Sequence, residues 1–72
     1  MKIKGTFYLK NSPTIFSETI YVRADEEKEA RRSINSLKEK INASFNTGRI
    51  SGINFGQISI RTSEIAAYKI FE

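Results

Sequence analysis

The chain has 72 residues, enough for one small domain, 1–72. A domain of that size buries only about 60% of the surface its unfolded form exposes. It contains no cysteine and no histidine, which excludes disulfide staples, thiolate metal sites and the commonest general base. Twelve Lys and Arg against eight Asp and Glu give a net charge of +4, and no segment approaches the roughly 20 apolar residues of a membrane span.

Residues 2–10 alternate. Ile3, Phe7 and Leu9 point one way, with Gly5 among them, and Lys2, Lys4, Thr6, Tyr8 and Lys10 point the other. That is a half-buried strand. Asn11-Ser12-Pro13-Thr14 reads as a turn, because Pro presets φ and Asn and Ser bond local backbone. Residues 14–23, rich in Thr, Ile, Phe, Tyr and Val, form a second strand and close an antiparallel hairpin. Ile15 and Phe16 are adjacent, so one of them breaks the alternation.

Ala30, Ile34, Leu37, Ile41 and Phe45 fall within an arc of roughly 80° at about 100° per residue, which makes one amphipathic helix. Asp25 is the expected N-cap, with Glu26 and Glu27 in the first turn where the helix dipole favours negative charge. Asn46-Thr47-Gly48 ends the helix, Gly48 fitting the left-handed position that follows a helix. About 21 helical residues span roughly 31 Å, long enough to lie along a small sheet.

Residues 47–56 contain three glycines and read as a loop with room for a short strand at 49–53. Gln57-Ile58-Ser59-Ile60-Arg61 alternates again, Thr62-Ser63-Glu64 is a turn, and 65–71 is a last strand. That strand is apolar on both faces, as in a central strand or one covered by a partner. The order is β-β-α-β-β: an α+β single domain with one amphipathic helix packed on a four-stranded antiparallel sheet. Its expected core is Ile3, Phe7, Leu9, Ile20, Val22, Ile34, Leu37, Ile41, Phe45, Ile58, Ile60 and Ile70.

Charge is unevenly placed. Between Asp25 and Phe45, five acids balance five bases, so the whole net charge of +4 comes from the segments outside the helix. The carboxylates at the helix start are accounted for by capping. No nucleophile elbow, Walker-type loop or calcium loop is present. Gly48-Arg49-Ile50-Ser51-Gly52 follows the negative end of the helix dipole, the wrong end for phosphate. Asn42-Ala43-Ser44 matches the glycosylation pattern but falls inside the helix. The chain is therefore expected to be no enzyme, with no cofactor, metal or small-molecule substrate. Without the apolar run of a signal peptide it is expected to be soluble and cytoplasmic.

Two binding functions fit what is left. The first is a small assembly module acting through protein association, including homo-oligomers. It rests on the small core and on the aromatics left over once that core is filled, Phe16, Phe55, Tyr68 and Phe71. Ile65, Tyr68 and Phe71 are its candidate self-association residues. The alternative is nucleic-acid binding on the sheet face turned away from the helix. There the alternation gathers Lys2, Lys4, Tyr8, Lys10, Tyr21, Arg23 and Arg61, with Gln57 and Ser59 beside them, cations for phosphates and rings for bases.

Overall fold

The computed structural model describes residues 1–72. The elements are β1 (Lys2–Leu9), β2 (Ile15–Tyr21), α1 (Glu27–Thr47), β3 (Gly52–Phe55), β4 (Ile58–Arg61) and β5 (Ile65–Phe71), with 3-10 turns at Ala24–Glu26 and Thr62–Glu64. The domain is α+β with antiparallel strands throughout. The expected four-stranded sheet, however, is replaced by two: three strands in the order β2-β1-β5 and a separate β3-β4 hairpin. The hairpin's own apolar side, Ile53, Phe55 and Ile60, is buried in the common core, so β3 and β4 pack on the face of the three-stranded sheet instead of extending its edge. The hairpin lies beside α1 and covers the remainder of the sheet's inner face.

The hairpin forms further along than the 49–53 stretch expected from sequence. Gly56, at φ 60°, turns β3 directly into β4, so that Phe55 pairs with Ile58. Alternation turns Ile53, Phe55 and Ile60 toward the three-stranded sheet, where all three are buried. The Phe55 ring lies over Gly5: a Cβ there would sit 2.7 Å from Phe55 Cε1. The same ring meets Phe7 edge-on, with centroids 5.7 Å apart. Glu18 projects from β2 onto this inner face, and its carboxylate accepts the Gln57 backbone N–H at 2.6 Å. Ser51 and Thr62 hold the other end of the hairpin. Thr62 N–H donates to the Ser51 carbonyl at 2.8 Å, and Ser51 N–H donates to Thr62 Oγ1 at 3.0 Å.

The helix presents its stripe as expected through Ala30, Ile34, Leu37 and Ile41, the last two fully in the core. Phe45 is a correction. It is 44% exposed and leans on Tyr68 of the edge strand, with centroids 6.5 Å apart, instead of reaching the sheet centre. Asp25 does not cap α1 either. It lies in the preceding 3-10 turn with its carboxylate held by Arg23 at 3.0 Å, which moves the cap position to Glu26, without a side-chain bond. Gly48 closes the helix at φ 72°, its N–H donating to the Ser44 carbonyl.

Ile3, Phe7, Leu37, Ile41 and Ile60 are buried as expected, with Leu9, Ile20, Val22, Ile34, Ile58 and Ile70 packed around them. Ile53, Phe55 and Ile65 join them. Ile65 was expected at a self-association surface, but it is wholly enclosed. A register shift at Tyr8/Leu9 places it opposite Leu9 on the inner side. β5 is an edge strand rather than a central one.

The Phe55–Gly5 contact yields a stability prediction. Gly5→Ala adds a methyl group where the ring now lies, and overpacking of this kind costs about 1–3 kcal/mol. The urea midpoint of unfolding should fall while the slope stays unchanged. An unchanged midpoint would show that the ring has room to move.

Candidate functional site

The outward face of the three-stranded sheet follows from the register. Lys2 is opposite Tyr21, Lys4 lies between Thr19 and Phe71, Thr6 between Ser17 and Lys69, and Tyr8 between Ile15 and Ala67. Cross-strand partners share a face, so these eleven residues form one surface, and neither α1 nor the hairpin covers it. It carries Lys2, Lys4 and Lys69 and no carboxylate, because Glu18 has the opposite parity. Its apolar members stay wet: Tyr21 is 76% exposed, Phe71 60% and Ile15 56%.

Within this surface lies a depression of about 320 Å³ lined by Lys2, Lys4, Thr19, Tyr21, Phe71 and Glu72. Two aromatic rings flank it from the two edge strands, and the two lysines rise between them from the central strand. Lys2, Lys4 and Tyr21 therefore come together as the alternation predicts, and Tyr8 shares their face two rows beyond Lys4. The other predicted members do not join them. Lys10 lies in the turn beyond β1, where its backbone N–H bonds the Glu64 carbonyl. Arg23 lies past the end of β2 and pairs with Asp25. Arg61, with Gln57 and Ser59, belongs to the hairpin segment. The hairpin's buried parity faces the three-stranded sheet, so Arg61 projects from the opposite side of the molecule.

The candidate self-association residues separate as well. Ile65 is enclosed, and Tyr68 is half-buried on the inner face, where its hydroxyl donates to Asn42 Oδ1 at 3.3 Å. Phe71 alone is exposed, and it belongs to the open face. Lys69 and Phe71 are the site residues that sequence reasoning did not assign to this face. Their i, i+2 spacing was visible, but the side of the sheet it serves depends on the register shift in β5.

No family model matches the chain, and no curated protein or solved structure matches it. No group of three or more carboxylates gathers to hold a metal ion. What the open face offers is charge complementarity and stacking area.

The rim of the depression is electrostatically set by one ion pair. Arg31 Nη2 donates to Glu72 Oε1 at 2.9 Å, and Arg31 Nε reaches both carboxylate oxygens at 3.3 Å. The hydrogen bond from Arg31, aided by the charges of Arg31 and Lys38, lowers the Glu72 pKa below its ordinary value, and the same bond raises that of Arg31. The sole carboxylate at the depression is thus already engaged. A lowered carboxylate pKa means that the pair is intact above the ordinary Glu range and is lost as pH falls through the depressed value. Carbon-detected NMR should find the Glu72 carboxyl titrating below that range and returning to it in Arg31→Gln. An identical titration in both proteins would show that the pair does not persist in solution.

Proposed function

We propose that the protein is a non-enzymatic binding module whose open sheet face takes single-stranded nucleic acid. The observation that supports it is the depression between Tyr21 and Phe71, with Lys2 and Lys4 between the rings. A single strand presents a phosphate chain and unpaired bases together. Lysines neutralise the first, and aromatic rings stack on the second without regard to sequence. Duplex fits less well, since its bases are already stacked and this face offers no helix or ribbon to enter a groove. Stacking two copies through this same face would set Lys2, Lys4 and Lys69 against like charges, which opposes self-association there.

Fluorescence anisotropy with a labelled oligothymidylate tests the proposal. Binding should be measurable at low salt and should weaken with salt at a log–log slope of roughly −2 if three phosphates are neutralised. Tyr21→Ala should weaken it by the ~1–3 kcal/mol that one stacked base supplies. Lys4→Glu should weaken it further, whereas Arg61→Glu, on the far side, should leave it nearly unchanged. Absence of binding at low salt, or equal losses from Lys4→Glu and Arg61→Glu, would overturn the assignment.

A further inference from the structure

A second surface lies on the other side of β5 and does not depend on the nucleic-acid assignment. Met1 and Val22 exchange both backbone hydrogen bonds, at 3.0 and 2.8 Å. That sets the phase of the ladder, because bonding direction alternates along a strand. Ile3, Gly5 and Phe7 bond toward β2, and Lys4, Thr6 and Tyr8 bond toward β5. Within β5, Ala67, Lys69 and Phe71 therefore bond inward. Tyr68 and Ile70 turn their N–H and C=O groups to the free edge.

The devices that ordinarily blunt a sheet edge are unequally shared. β2 has an inward-pointing carboxylate, Glu18, and a proline just before it, at Pro13. β5 has no proline and no inward charge; its one lysine, Lys69, points to the open face and its register shift lies at the Ile65 end, which leaves the edge at Tyr68 and Ile70 open to pairing. Beside that edge, between α1 and the sheet, runs a groove of about 390 Å³. Ile34, Ile70 and Phe71 contribute its apolar surface, and Arg31, Asn35 and Lys38 line it from the helix. The only carboxylate in it is Glu72, which already bonds Arg31.

We infer that β5 accepts an extended acidic peptide as an added strand, with its alternate apolar side chains in this groove and its carboxylates on Arg31 and Lys38. Backbone pairing at Tyr68 and Ile70 supplies affinity, and the groove supplies side-chain selection, as in strand addition generally. Charge decides the occupant. A second copy of the chain paired on the same edge would bring its own Lys38 toward this one, each Arg31 being held by its own Glu72, whereas an acidic segment neutralises Lys38. Glu72 on Arg31 is the intramolecular form of the contact that the peptide makes.

The test uses a short synthetic peptide with valines at alternate positions and glutamates at both ends, titrated into the full chain and followed by amide NMR. Shifts should concentrate at Tyr68, Ile70 and the helix between Arg31 and Lys38, leaving Lys2 and Lys4 unmoved. Lys38→Glu should weaken binding about tenfold, the scale of losing a close charge pair at an interface. Glu72→Gln, which frees Arg31, should tighten it. The same peptide N-methylated at the alternate residues whose N–H groups face β5 should not bind, since the donors on that edge are gone. Equal binding of the N-methylated peptide, weaker binding to Glu72→Gln, or no binding at all would overturn the inference. So would a dimer of the chain alone with Tyr68 and Ile70 amides protected from exchange. Oligothymidylate binding is read separately at Lys4 and Tyr21, so failure of one assignment leaves the other intact.

Discussion

The Phe55 ring lying on Gly5 is the contact on which the rest of the architecture depends. A side chain at residue 5 would hold the hairpin off the sheet, and the ring would lose its edge-on contact with Phe7. Aromatic pairs of this geometry contribute about 0.5–1.5 kcal/mol beyond the area they bury. The larger consequence is geometric. With the ring seated, β3 and β4 lie beside α1, and helix and hairpin together close the inner face of the sheet. Glu18 then finds the Gln57 N–H, and Thr62 finds Ser51, so the polar groups brought under the hairpin are satisfied at both of its ends.

Closing the inner face with helix and hairpin leaves the outer face bare, and the two sides of β5 acquire different characters. Outward, the sheet offers lysines and wet aromatic rings with no carboxylate among them. Along its free edge and toward the helix, it offers unpaired backbone and an apolar groove walled by Arg31 and Lys38. Phe71 and Glu72 sit where these surfaces meet, lining both depressions. Both surfaces are cationic, and the ligands proposed for them differ: a chain of phosphates with planar bases on one, a strand with carboxylates at peptide spacing on the other. No helix of the molecule is long and apolar enough to cross a membrane.

The charges of the chain are divided between helix and strands. The helix segment is neutral overall, and its acids lie mostly in the first turn and the turn before it, where they favour the dipole or bond Arg23 and the Met1 nitrogen. Outside the helix, Lys2, Lys4 and Lys69 stand on the open face of the sheet, and Lys10, Arg23 and Arg49 lie in the connections. Arg61 departs from that pattern because its strand left the main sheet.

Local periodicity was enough to determine β1, β2, α1, β4 and β5 as elements, whereas β3 forms at Gly52–Phe55, beyond the 49–53 stretch read from sequence. The alternation in residues 2–10 separated Lys2, Lys4 and Tyr8 from Ile3 and Phe7. The 3.6-residue stripe placed α1, and Gly48 ended it. These features are legible because each depends on residues within a turn or two of one another. The number of sheets, the partners of the hairpin, and the sides to which Arg61, Ile65 and Phe71 belong were decided only by the tertiary structure. Each rests on a long-range event with no local signature: a ring filling the space over a glycine about fifty positions away, and a register shift that turns one end of β5 over. Alternation tells which residues share a face, but packing alone tells which face is covered.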